Sequence, residues 1–118
     1  MHVSVVAWVL QIFLAAVFLG AGATKVSQPK EKLQPRMGWV EGVAPGHIKL
    51  LATAELIGAI GLVLPWATGI ARVLTPLAAV GLAVVMAGAV LVHRSRKEPW
   101  YAQLVLLIAC LVVAIVRF

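Results

Sequence analysis

One cysteine, no aspartate, one tyrosine and only four acidic residues stand among 118, and each scarcity closes a class of function. Thiol–disulfide chemistry at a membrane needs a pair of cysteines, so Cys110 alone excludes a self-contained CxxC-type, quinone-coupled enzyme. It reads instead as a small apolar packing residue in the last hydrophobic block. A zinc or iron centre wants clustered His, Cys or carboxylate ligands, and four glutamates with scattered histidines supply no such cluster. No metal site is expected. His2, His47 and His93 all fall at the ends of apolar blocks, which leaves haem without axial ligands inside them. There is no phosphate-cradling glycine loop, no dinucleotide-binding fingerprint and no nucleophile elbow.

What the chain does have is apolar surface. It is 63% hydrophobic with mean hydropathy +1.05, well above the roughly 45–50% of soluble domains. The apolar residues form blocks at Val3 to Ala23, Ile48 to Leu64, Ala71 to Val92 and Trp100 to Val116. Each is close to the ~20 residues that cross a hydrocarbon core about 30 Å thick as a helix. A transmembrane barrel would need alternating ten-residue segments, which are missing. The expected fold is therefore all-α, an integral membrane four-helix up-down-up-down antiparallel bundle. It forms one domain over 1–118, with helices at about 3–24, 47–65, 70–93 and 99–117 and an interfacial loop at 26–46. Met37 to Val43 could form a short helical turn in that loop. "AGA" at Ala21 to Ala23 resembles a signal-peptide cleavage site. The preceding apolar run is too long and lacks a basic lead, so the first helix is expected to stay.

Lys and Arg beside membrane helices are retained on the cytoplasmic side. Lys25, Lys30, Lys32, Arg36 and Lys49 flank the first loop, and Arg94, Arg96 and Lys97 the third, whereas the opposite side has only Arg72 and Arg117. The basic loops 25–49 and 93–99 should face the cytoplasm of a bacterial inner membrane, with both termini outside. The net charge of +6 then reflects topology and attraction to anionic lipid head groups rather than nucleic acid. Trp8 and Trp66 fit an aromatic belt at one interface; Trp39, Trp100 and Tyr101 fit the other.

Helix packing in lipid depends on close backbone approach. Small residues recur at helical spacing at Ala16, Gly20 and Ala23, at Ala54, Gly58 and Gly61, and at Gly81 and Gly88, and these read as seams. Pro76 falls in the first turns of the third helix, where its missing donor is tolerated.

Glu55 is the anomaly, a carboxylate in the middle of "HIKLLATAELIGAIGLVLP". Alone at that depth it would cost several kcal/mol or take up a proton, so it should face inward with a partner. An up-down bundle brings Lys25, Lys49 and His93 to the same membrane face. Lys25 is the preferred partner, with Lys49 and His93 as competitors, and the four residues are expected to frame an intramembrane polar pocket. Trp100 and Tyr101 could cap it and stack on a flat ligand such as a quinone ring. An ion pair or protonated carboxyl that only fixes helix register is the alternative account of Glu55, and a proton relay is a third.

The segments "FLGAGATKV", "GVAPG", "AELIGAIGLVLP" and "GIARVLTPLAAVGLAVVMAGAVLVHR" together resemble the DoxX-like family of small four-helix bacterial membrane proteins. The ordered set that carries the likeness is Gly22, Lys25, Glu55, Gly58, Arg72, Gly88, Ala89 and His93. The resemblance implies kinship with a membrane subunit of a thiosulfate:quinone oxidoreductase, and with membrane assembly factors and cargo receptors. Three functions follow as expectations. The first is a non-catalytic accessory or assembly subunit that contacts another membrane protein or itself. The second is a quinone-linked oxidoreductase membrane subunit, and the third is small-molecule or lipid transport as an oligomer. Bound quinone or lipid is the cofactor to look for.

Overall fold

The computed structural model describes residues 2–33, 35, 37, 38 and 43–118. The helices are α1 (His2–Ser27), α2 (Lys30–Leu33), α3 (Pro45–Thr68), α4 (Leu74–Ser95) and α5 (Tyr101–Arg117), and no strand occurs among the described residues. The chain is all-helical, as its composition requires. Three helices, Val3–Ser27, Pro45–Thr68 and Leu74–Ser95, are long and apolar enough to cross a membrane. The fourth apolar helix differs from expectation. At 17 residues α5 is shorter, rising roughly 26 Å because Trp100 stops outside it as the N-cap. Much of the interfacial turn expected at 37–43, including Trp39, lies outside the described residues, as does Arg36.

Packing runs from α1 to α3, α3 to α4, α4 to α5 and back from α5 to α1. Side-chain contacts give the directions. Lys25 meets Glu55 while Gln11 reaches Leu62, so α1 and α3 are antiparallel. Gly58 lies against Leu82 and Gly61 against Ala78, so α3 and α4 are antiparallel as well. Each helix buries residues three or four apart, the spacing that keeps one face turned to its neighbours. In α1 this stripe is Ala7, Gln11, Leu14, Phe18 and Lys25; in α3 it is Ile48, Ala52, Glu55, Ala59 and Leu62. Thr75, Ala79, Leu82 and Met86 continue it on α4, and Cys110, Val113, Ala114 and Arg117 on α5. Cys110 is fully enclosed in this apolar core. The outward faces carry Val9, Ile12, Ile57, Val84, Leu91 and Ile115, all exposed, which suits a lipid environment.

The small-residue seams need correction. Gly58 and Gly61 are tightly opposed by α4, but Ala16, Ala23 and Ala54 are exposed, and a Cβ at Gly20, Gly81 or Gly88 would meet nothing within 4 Å. On α1 the close approach is at Gly22, where a Cβ would stand 2.9 Å from the Ala52 carbonyl oxygen of α3. The reason is rotational. Gln11 and Lys25 must both be shielded from lipid, and the face that holds them is Gly22's, not that of Ala16 and Gly20.

The second helix also outlasts its proline. α3 runs through Pro65 to Thr68 and stops at Gly69, whose left-handed backbone (φ 76°) caps it. Pro65 has no N–H for the Gly61 carbonyl four residues back. That carbonyl accepts instead from Thr75 Oγ1 of α4 at 2.9 Å, and the next, Leu62 O, accepts from Gln11 Nε2 of α1 at 2.6 Å. Neighbouring helices thus supply donors where the helix ladder is interrupted, as membrane burial demands. Pro76 sits in the first turn of α4, buried.

Candidate functional site

Lys25 stands in the last turn of α1 and Glu55 three turns into α3. Their stripes meet there, and Lys25 Nζ donates to Glu55 Oε1 at 2.6 Å. Glu55 is 1% exposed and Lys25 8%, so this is a shielded interhelical ion pair.

The other two basic groups go elsewhere. Lys49, one and a half turns nearer the start of α3, donates to the Lys25, Val26 and Gln28 carbonyls at 2.6, 3.2 and 2.5 Å. It caps the C-terminal end of α1, where orphan carbonyls and the helix dipole favour a cation. His93 takes Glu98, with Nδ1 3.0 Å from Oε1. The turn after α4 explains this choice. Lys97 adopts a left-handed conformation (φ 57°), Lys97 N–H bonds to Arg94 O, and Glu98 N–H folds back onto His93 O at 2.8 Å. This Schellman-type turn sets Glu98 over His93, and Arg96 Nε lies 3.4 Å from Glu98 Oε2.

The Lys25–Glu55 pair and the His93–Glu98 contact both border one cavity of about 830 Å³. Val17, Phe18 and Ala21 of α1, Leu51 of α3, Met86, Gly88 and Ala89 of α4, and Ala102 and Leu106 of α5 form its apolar wall. Open space beside Gly88 helps to make room for it. Met37 and Gly38 from the first loop, and Glu98 and Pro99 from the third, border it as well. Those loops touch, since a Cβ on Gly38 would stand 3.1 Å from Glu98 Oε2 and 3.3 Å from Arg96 Nη2. Gln103 Oε1, also on the lining, is buried without a hydrogen-bond partner.

The structure therefore gathers Lys25, Glu55, His93 and Tyr101 around one space and leaves Lys49 and Trp100 off its lining. Trp100 stacks on Tyr101 with ring centroids 4.6 Å apart, beneath the Arg94 guanidinium. Gln103, which the up-down reading of the sequence brings to this membrane face with Trp100 and Tyr101, lies on the lining beside Tyr101. Among the described residues no three His, Cys, Asp or Glu side chains cluster as metal ligands would.

A second polar group lies at the other end of the bundle and has no counterpart in the sequence-level site. Arg117 Nε donates to Gln11 Oε1 at 2.8 Å, and its other nitrogens lie 3.4 and 3.5 Å from Ser4. The guanidinium lies 4.4 Å from the Trp66 ring centroid and 5.7 Å from that of Trp8. Gln11, fully buried, thus joins α1, α3 and α5.

An apolar-walled cavity bordered by a few polar groups, at one end of an otherwise lipid-compatible helical chain, defines a small integral membrane protein with an amphipathic recess. The chain belongs to the DoxX-like family, whose model matches residues 9–116. No curated protein and no solved structure matches it.

Proposed function

We propose that the protein is a non-catalytic accessory or assembly subunit of a larger membrane complex, and that its cavity holds the polar head of an amphipathic ligand. One observation carries this reading: the apolar-walled space of about 830 Å³ that ends on the Lys25–Glu55 pair and the unpartnered Gln103 oxygen. Ligand sites are typically apolar concavities with few, well-placed polar groups. Lys25 offers a donor and Gln103 an acceptor, so a head group with both functions fits. Another membrane protein would contact the outer helix faces, and the basic loops would lie on the cytoplasmic side with the termini outside.

Purification in mild detergent tests this. A stoichiometric membrane partner and an organic-extractable ligand lost on Lys25→Ala are the expected outcome. A homogeneous protein with neither would reject the proposal. The quinone-linked oxidoreductase subunit is a second reading, favoured by Tyr101 at the cavity, whose ring could face a planar head group. It requires quinone in the extract and its release by Glu55→Gln.

A further inference from the structure

The end of the bundle remote from this cavity gathers two cations on one ring. Arg117 lies 4.4 Å from the centroid of Trp66, and Arg72, in the turn between α3 and α4, lies 4.9 Å from the same point. Their guanidinium carbons are therefore no further apart than the sum of those distances, about 9 Å. Among the described residues neither has a carboxylate in ion-pair reach, since Glu55 and Glu98 are committed at the opposite end and Glu31 belongs to α2. Two like charges meet here without an acid between them.

Neither arginine has its donors filled. Arg117 is 8% exposed; its Nε donates to Gln11, and each terminal nitrogen directs one hydrogen at Ser4. A guanidinium carries five N–H donors in a planar fork, so one hydrogen on each terminal nitrogen is left without an acceptor among the described residues. Arg72 is exposed and, among those residues, touches only Trp66 and makes no hydrogen bond. Its neighbour Ala71 takes a left-handed conformation (φ 51°), which is costly for any residue with a Cβ. The turn thus bears strain, as well as charge repulsion, in setting Arg72 over a ring that Arg117 already occupies. An indole face attracts a cation, but by less than a buried charge loses in hydration.

We propose that Arg72 and Arg117 form a phosphate site, in which the oxygens of one phosphate group bridge the two guanidiniums beside Trp66. Guanidinium forks match carboxylate and phosphate alike, but a carboxylate holds its two oxygens in one plane and is filled by a single fork. A tetrahedral phosphate presents oxygens to two. Charge-assisted bonds of about 2.8 Å on each side let it span the separation of the pair. Indole rings settle at the head-group level of a membrane, so the phosphate is either a lipid's or one free in the adjoining water. The site is independent of whatever fills the cavity around Lys25.

Two probes of the detergent-purified protein test it: native mass spectrometry with phosphatidylglycerol and diacylglycerol of the same acyl chains, and phosphorus NMR line broadening of inorganic phosphate. Phosphate binding in either probe should fall about fivefold in Arg72→Gln, the factor expected for one arginine near a charged surface. Arg72 is exposed, so that variant should fold as the wild type does. Arg94→Gln, which removes an arginine over Trp100 at the other end, should leave both readings unchanged. An Arg72-dependent preference for phosphatidylglycerol assigns the phosphate to a lipid, and Arg72-dependent broadening without that preference assigns it to the free anion. Neither signal, or an equal response to the two arginine variants, overturns the site. So does acetate that competes as well as phosphate at equal concentration.

Discussion

Removing either member of the Lys25–Glu55 pair should cost far more than removing both. The contact is 2.6 Å long between side chains 10% and 1% exposed, so solvent cannot replace a lost partner. An exposed pair would contribute about 0–1 kcal/mol, and an interhelical hydrogen bond in a membrane averages about 0.6 kcal/mol. Neither figure is the relevant one. Lys25→Met strands the Glu55 carboxylate and Glu55→Leu takes from the buried Lys25 ammonium its Glu55 counter-charge, and removing one partner of a buried pair costs about 3–5 kcal/mol. The double variant Lys25→Met/Glu55→Leu places two apolar side chains of similar length in contact and should fall within about 1 kcal/mol of wild type, because apolar replacement of a buried pair is often neutral. Glu55→Gln, which keeps an oxygen for Lys25 Nζ, should lie between. Reversible unfolding in mixed micelles by titration with SDS measures all four. A coupling of at least about 3 kcal/mol is expected from the double-mutant cycle. Additive losses, or single variants within about 0.5 kcal/mol of wild type, would refute the reasoning.

The seam correction predicts opposite outcomes two residues apart. Gly22→Ala should destabilise by about 1–3 kcal/mol, as overpacking does, since the added Cβ meets the Ala52 backbone oxygen at 2.9 Å; Gly20→Ala, facing open space, should be neutral or stabilising by up to about 1 kcal/mol. The same SDS titration compares them. Thr75→Val should cost about 1 kcal/mol by leaving Gly61 O without its donor, and the loss should shrink in a Pro65→Ala background, where residue 65 regains an N–H for that carbonyl. An undiminished loss would detach Thr75 from the proline. Lys97→Gly should raise stability by about 1 kcal/mol by relieving a left-handed non-glycine residue, with the readout again the unfolding midpoint.

The helical class was legible because hydropathy alone dictates it: apolar blocks of membrane length have few ways to satisfy their backbones. The Lys25–Glu55 contact was also within reach, since antiparallel pairing of α1 with α3 brings their residues to one depth. What the sequence concealed was rotation and competition. Lys49 is as near Glu55 in depth as Lys25, but it lies beside the end of α1, where three carbonyls outbid a carboxylate. His93 was diverted by a turn whose pivotal residue, Lys97, is not the glycine or asparagine that announces such a cap. The length of α3 was hidden for a related reason. Pro65 looks like a terminator until Thr75 is seen to accommodate it.

The rotation of α1 nevertheless had a readable signal of a different kind. Gln11 and Lys25 are fourteen residues apart, four turns at the coiled-coil spacing of 3.5, so one face carries both. Small residues indicate only where helices can approach, and in lipid several faces permit it; a polar side chain indicates where a helix must approach, because the alternative is an unpaired group in hydrocarbon. The Gln11–Lys25 face also contains Leu14, Phe18 and Gly22, which are the buried residues observed, and excludes Ala16 and Gly20. Followed to the ends of the bundle, the same stripe joins its two polar clusters: Gln11 holds Leu62 and Arg117 at one end, and Lys25 holds Glu55 at the other. Two fixed points on one helix set the rotation of α3 against it, and that rotation turns Glu55 toward the cavity rather than the lipid.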